Sequence, residues 1–425
     1  MNEGVDPYLR ESDLLVLRNL LRDIELSSRP GGTDQAQGND LFLEHDDGIT
    51  IKNLAALKDE PVLFCTWDYK DLPFSKQLPG LLLSRYNRLA QTIVRHRVDV
   101  VFLTHIILYM STSLPSALWL FYDFSWIHGI LHVIMQVYYM GSFTLLLHNC
   151  IHHNGLLAPR YRTIDRIWPY ILKPLMGHTW NSYYYHHVKH HHVENNGPDD
   201  LSSTIRYQRD SFKHFCLYVG RFLLFIWIEL PLYFLRKGKT DLAIKSFLWE
   251  TSSITLIYLL AQLNFNAALC TLILPFCLTR IGLMVGNFGQ HALVDDIDPK
   301  SDFRSSITLI DVPSNRFCFN DGWHTSHHLN PLRHWRDHPA AFMKSKKSYL
   351  EGKALFFRNI DYLMMTYRIL RKDYLYLADC MIPIGDQINL TRQERADLLR
   401  SKTKRFTEEE IRLKFYGDGN GGTVH

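Results

Sequence analysis

The segment His324-Thr325-Ser326-His327-His328 sets imidazoles at offsets of zero, three and four, which fall on one face of a helix. Three imidazoles on one face make half of a metal site. Two clusters of the same kind lie upstream, His148, His152 and His153, then His186, His187, His190, His191 and His192, while Asn287 and His291 stand at the end of the last long apolar run. Neutral imidazole suits iron, zinc, copper or nickel, so residue type alone does not fix the metal. The number of ligands says more. A zinc site closes with about four ligands, or three and a water, and three clusters plus His291 offer far more than one such ion can use. Two octahedral ions are the economical reading, and the scarcity of carboxylates in the clusters argues against the Glu-x-x-His helical bundle.

Other histidines carry less. A lone histidine in an apolar run, such as His105, is expected to hydrogen-bond between helices. His128 and His132 share a helical face, but at a rise of about 1.5 Å per residue they lie roughly 25 to 30 Å from His148, so structural roles are expected. His334 and His338 lie beside Pro331 and Pro339 in a loop, where solvation or support of a ligand suits them better than ligation.

Bringing three distant clusters together constrains the elements between them. Residues 98–122 and 125–147 are each long enough to cross a bilayer, which takes about 20 apolar residues. Arg85, Arg88, Arg95 and Arg97 crowd the entry, whereas the turn at Asp123 has no Lys or Arg, so the N-terminus is expected to be cytosolic. The second span then returns to the cytosolic side where His148 begins. Three further apolar runs follow, and if all three crossed, His291 and His324 would emerge opposite the first two clusters. Residues 212–235 hold Lys213, Arg221, Glu229 and Pro231, and charge inside hydrocarbon is costly. They are therefore expected to lie in the interface, leaving 247–263 and 265–286 as the third and fourth spans and both termini cytosolic. Arg160, Arg162, Arg166 and Lys173, interleaved with aromatic residues, likewise suit an interfacial segment.

The fold class expected is an all-α integral membrane protein, with four transmembrane helices and a cytosolic helical cap holding a histidine-rich dinuclear site. Its parts are an N-terminal cytosolic region at 1–84, partly flexible; a membrane domain at 85–340; and a cytosolic helical region at 341–425. The 22 histidines in 425 residues and the 46% hydrophobic content fit that division. A net charge of only +4, with basic residues beside apolar runs rather than in one stripe, gives no support to a nucleic-acid partner. Seven cysteines without CxxC spacing read as reduced thiols. Residues 12–26 predict an amphipathic helix capped by Ser12, and 29–40 a linker. Thr391-x-x-Glu394 and Thr407-x-x-Glu410 predict capping boxes that open short helices. No secretory signal is found at residues 1–13, so insertion is expected to use internal segments.

Taken together, His148-Asn-Cys-Ile-His152, His187-Val-Lys-His190-His191 followed by Asn195, and His324-Thr-Ser-His327-His328-Leu-Asn-Pro resemble the three histidine boxes of the membrane fatty-acid desaturases and hydroxylases. Asn287-Phe-Gly-Gln-His291 is similar to the Asn-x-x-x-His element that stearoyl-CoA desaturases place at the end of their fourth span. The resemblance covers about 85–339 and implies two irons held by His148, His152, His187, His190, His191, His291, His324, His327, His328 and Asn287, the last through water. The first box reads HxxxHH, so His153 is an alternative to His152. The second has extra histidines, and His186 or His192 would shift its register by one.

The resemblance further implies oxygen-dependent removal of hydrogen from an unactivated methylene of a lipid or acyl chain, in the endoplasmic reticulum, with electrons from an external donor such as cytochrome b5. Desaturation is favoured over hydroxylation or acetylenic bond formation. No fused donor is expected, because Arg29-Pro30-Gly31-Gly32 resembles the His-Pro-Gly-Gly haem motif but lacks its histidine. Trp180, Tyr183, Tyr184 and Tyr185 would line the acyl path or anchor the interface. Two other classes remain open on the residues alone, a membrane zinc hydrolase and a non-catalytic lipid-binding protein.

Overall fold

A computed structural model describes residues 5, 9–27, 36–57, 60–65 and 78–417. Helices α1 (Glu11–Ser27), α2 (Ala36–Ala56) and α3 (Leu78–Ile93) precede two long antiparallel hairpins. In the first, α4 (Val100–Tyr122) turns into α5 (Trp126–His153), whose N-terminus is capped by the Ser125 hydroxyl accepting the His128 N–H at 3.3 Å. Asn154 stops α5 in the left-handed conformation, φ 54°, directly after His153. The chain continues through α6 (Arg162–Leu175), α7 (residues 182–194) and α8 (Phe212–Arg236) to the second hairpin, α9 (Thr240–Leu263) and α10 (Phe265–His291). Asn264 closes that hairpin, its side chain accepting the Ala267 N–H at 3.1 Å.

The two hairpins pack with their turns at the same end. Gly129, near the start of α5, lies so close to Cys270, near the start of α10, that an added Cβ would stand 2.9 Å from the sulfur. The opposite ends, His148 to His153 and Asn287 to His291, are therefore brought to one common level. That alignment is what the histidine clusters require.

By length and apolarity four helices among the described residues can cross a bilayer, Val100–Tyr122, Trp126–His153, Phe212–Arg236 and Phe265–His291. From the sequence a span is expected at 247–263 and an interfacial helix at 212–235, and on this measure the two exchange places. The reason lies in their side chains: α9 carries Asp241, Lys245 and Glu250, whereas α8 is apolar over most of its length. The packing of α8 adds a different constraint. Tyr218 packs on Phe288 and hydrogen-bonds Asn287, Phe222 packs on His186, and Tyr233 packs on His190. Tyr218 and Tyr233 are about 22 Å apart along the helix, yet both touch the histidine-bearing level.

Beyond α10 the chain builds the cap. The strands β1 (Ile307–Leu309), β2 (Leu355–Phe357) and β3 (Met381–Ile382) form a small buried sheet, β1 parallel and β3 antiparallel to β2, that the sequence does not announce. Between β1 and β2 lies α11 (His324–Leu329), the third histidine segment. The N-terminal α1 packs on it from outside: Val16, Leu17 and Leu20 share a core with Trp323, Phe342 and Phe356. Asp13, pushed up to about 6 by burial, accepts the Trp323 indole N–H at 3.1 Å. The helix expected at 12–26 thus begins one residue early and is packed. Of the expected linker, 29–35 lie outside the described residues and 36–40 open α2.

Further on come α12 (Tyr362–Leu370), α13 (Tyr374–Cys380), α14 (Arg392–Ser401) and α15 (Glu408–Ile411). Both expected capping boxes are formed, at Thr391 with Glu394 and at Thr407 with Glu410. Gly289 of α10 faces the Tyr362 carbonyl so closely that a Cβ would stand 2.5 Å from it, which lets α12 lie against the end of α10.

Arg209, fully buried, fastens the C-terminal segment beneath the site. Its guanidinium donates to the Ala292 and Lys402 carbonyls at 2.9 and 3.0 Å, and to those of Thr204 and Ile205 at 3.3 Å. Replacing it with an apolar residue leaves buried carbonyls unpaired, at a cost of about 1–3 kcal/mol for each one that water cannot reach. Arg209→Met is expected to lower the apparent unfolding temperature by several degrees and to open the segment after residue 400 to protease. Thermal scanning and limited proteolysis of the purified protein check this, and an unchanged scan would contradict the anchoring role.

Candidate metal centre

The last turn of α5 places His148 and His152 four residues apart on one face. The second cluster is carried by α7, which opens into a π turn at His187–His191, where the His192 N–H reaches back five residues to the His187 carbonyl. A turn of that width moves the residues sharing a face with His187 from offsets three and four to four and five. His191 and His192 therefore face inward with His187. His190 is turned out, its Nε2 within hydrogen-bond range of the Asp199 carbonyl and the Leu201 N–H, at 3.1 and 3.2 Å. In α11, His324 and His328 point to one side and His327 to the other.

Two inward-facing groups result, His148, His152, His187, His192 and His327, and beside it His191, His291 and His328. His324 joins the second, its Nε2 2.9 Å from that of His291 and its ring 4.5 Å from that of His328. The groups adjoin, since the His192 ring is 5.0 Å from His328 and 4.7 Å from His327.

Their atoms fit metal ions. Imidazole nitrogens about 2.1 Å from one ion, at right angles to each other, stand about 3 Å apart. In the first group the Nε2 atoms of His148 and His327, His192 and His327, and His187 and His192 are separated by 3.1, 2.9 and 3.1 Å. The Nε2 atoms of His152 and His328 are buried without a hydrogen-bond partner among the described residues. Burial, followed by the neighbouring imidazoles, pushes His187, His192, His324, His327 and His328 well below the usual histidine range. They are neutral at pH 7, as ligation needs.

In the second group the outer nitrogens are fixed. Nδ1 of His191 donates to Asp200 at 2.8 Å, that of His291 to the Ser305 carbonyl at 2.9 Å, and that of His328 to the Asn195 side-chain oxygen at 2.8 Å. With Nδ1 protonated in this way, each Nε2 keeps its lone pair for the site. Asn195 is placed for this by its left-handed backbone, φ 47°, at the end of α7.

A cavity of about 510 Å³ runs past His148, His187, His191, His324 and His327 and on between α5, α8, α9 and α10. Met140, Leu145, Ile226, Leu230, Leu283 and Met284 make its wall largely apolar. At one end Arg280 of α10 pairs with Glu250 of α9, both buried. The volume lies within the range of small-molecule sites.

Of the ten residues that the family resemblance implies, the structure gathers His148, His152, His187, His191, His291, His324, His327 and His328. His190 stands outside, grouped with His186 and Asp200, and His192 takes its place. His153 faces His96 and His334 instead of the groups. Asn287 lines the cavity, its amide nitrogen donating to the Ser202 carbonyl and the Tyr218 hydroxyl at 3.0 and 2.7 Å. His128 and His132 share the Ser116 hydroxyl at 2.8 Å each, a link between α4 and α5. His105 bonds the Val101 carbonyl of its own helix and faces Cys65 instead of a neighbouring span. His334 pairs with Asp99, and His338, buried, meets the Ser326 hydroxyl. Asp200 and Ser305 are the functional neighbours that the sequence leaves unmarked, whereas Asn195 belongs to the second histidine segment quoted from the sequence.

A family model described as fatty acid desaturase matches residues 124–359, more than half of the chain and all three histidine segments. No curated protein and no solved structure matches the chain.

Proposed function

The chain belongs to the fatty acid desaturase family and is an integral membrane protein with histidine groups able to hold metal. From that premise we propose that it is an oxygen-dependent desaturase that inserts a double bond into the alkyl chain of a lipid. The observation that carries the reading is the pair of adjoining imidazole groups beside a largely apolar cavity.

In this reading one iron is held by His148, His152, His187, His192 and His327, the other by His191, His291, His324 and His328 with Asn287 beside them. Iron bound there supplies oxygen activation, with electrons from an external donor of the cytochrome b5 kind. The protein's own share is positioning. Met140, Leu145, Leu283 and Met284 exclude water and hold the alkyl chain against the histidine face. Asp200, Asn195 and the Ser305 carbonyl hold three imidazoles in the tautomer that leaves Nε2 free.

The same reading sets the topology. Spans α4, α5, α9 and α10 bring every histidine group to the cytosolic face of the endoplasmic reticulum, with both termini on that side. Helix α8 lies in the interface, an arrangement supported by its contact with the histidine level at Tyr218 and at Tyr233. Reporter tags at Gly238 and at either terminus are expected on the cytosolic side, and tags at Asp123 and Asn264 on the other. A tag at Gly238 on the far side would show that α8 crosses.

Elemental analysis of the purified protein is expected to give two irons per chain. His192→Ala loses metal and activity together, whereas His190→Asn retains the metal. Asp200→Ala weakens metal affinity about 10- to 100-fold through the loss of its bond to His191. One zinc per chain, or full metal in His192→Ala, would overturn the ligand assignment.

The reaction is tested with a substrate deuterated at adjacent methylenes. Desaturation removes deuterium from both carbons and leaves no labelled oxygen from O₂ in the product. A product hydroxylated from O₂ and lacking a new double bond would replace desaturation by hydroxylation and leave the metal assignment standing.

A further inference from the structure

One carboxyl group in the cavity wall has no side-chain partner among the described residues. Asp321 lies three residues ahead of His324, its N–H bonded to the Cys318 carbonyl at 3.2 Å and its carbonyl accepting the Tyr362 hydroxyl at 3.4 Å. Its side-chain oxygens hydrogen-bond none of the described residues, and burial pushes the group up to about 7. Tyr183 also lines the cavity, and its ring stacks on His187 with centroids 5.2 Å apart. Its hydroxyl likewise bonds none of the described residues, and the Asp321 charge, after burial, raises its phenol. Both unmatched polar groups thus line the same cavity, Tyr183 beside an imidazole of the first group.

Asp321 is only partly exposed, and a carboxylate that loses its remaining water to an apolar ligand without gaining a hydrogen-bond donor is destabilised. Here it is held at the wall of a space otherwise suited to hydrocarbon, where a ligand can reach it.

We propose that Asp321, with Tyr183, binds a hydrogen-bond donor of the substrate, a hydroxyl or an amide N–H, carried near the carbons that react. The substrate class is then a hydroxylated or amide-linked lipid, and the polar group sets which methylene meets the metal-binding face. This rests on the reading of the cavity as the lipid site.

The test is binding to the full-length protein in nanodiscs, measured by displacement of a fluorescent fatty ester. The probes are methyl stearate, a positional series of its monohydroxylated derivatives, and N-methylstearamide. Displacement by methyl stearate tests the lipid site itself; its failure would overturn that reading separately. Given displacement, and at a pH well above 7 where Asp321 is ionised, the wild type is expected to bind the amide or at least one hydroxylated isomer about tenfold or more tightly than methyl stearate, as a hydrogen bond to a charged group allows. Asp321→Leu abolishes that preference while methyl stearate still displaces, and Asp321→Asn, which keeps one acceptor and the shape, retains part of it. If Asp321→Leu does not fold, Asp321→Asn and Tyr183→Phe decide, each reducing the preference. Absence of any preference in the wild type, or a preference undiminished in the variants, would overturn the proposal.

Discussion

Everything in this molecule depends on bringing lone pairs of imidazoles from segments as far apart in sequence as His148 and His327 to within about 3 Å of each other. The neutral rings do not attract one another strongly, and burying them without partners is costly. The rest of the fold supplies the convergence. Gly129 against Cys270 levels the two hairpins, so α5 and α10 end together. The cap then sets α11 across both ends, held by Asp13 on Trp323 and by Asp99 on His334 and Trp335. Each of those carboxylates is buried and accepts from an indole, so the loops around the third histidine segment are fixed by directional bonds as well as by packing.

What the sequence reveals follows the range of the forces involved. Helical spacing at His148 and His152 is local, and both enter one group; the spacing at His324 to His328 is equally local, but the surroundings divide those three rings between the two groups. The capping boxes at Thr391 and Thr407 are equally local and form. The second cluster departs because a π turn is chosen by its surroundings: five of the residues at 186–192 are histidines, so every register offers ligands, and only the packing of α7 decides. Tyr233 on His190, and Asp200 on His191, turn the helix so that His192 enters the site. Nothing in the pattern of residues 186–192 distinguishes that outcome.

The small sheet escapes sequence reading for a related reason. Three-residue strands such as Ile307–Leu309 show no alternation when all three side chains are buried. The exchange between residues 212–236 and 240–263 has a different origin. Apolar content measures the cost of leaving water, whereas the location of a helix depends on what its two ends touch. Helix α8 is apolar enough to span, yet Tyr218 and Tyr233 tie both of its halves to the histidine level.

The two histidine groups are not equivalent, and the difference has physical consequences. In the second group His191, His291 and His328 each have an acceptor on Nδ1, so ring orientation and tautomer are set by the protein. In the first, the hydrogen-bond contacts of the rings among the described residues are with one another. Where two imidazole nitrogens face each other at about 3 Å, one proton can serve only one such contact, and the lone pairs left over repel. The second group is therefore preorganised, whereas the first owes its order to packing, including the stack of Tyr183 on His187. A cation placed among its nitrogens would turn that repulsion into attraction. The same stack joins the first group to the cavity wall, so the half of the centre that lacks acceptors on its outer nitrogens is the half ordered by a cavity-lining aromatic ring.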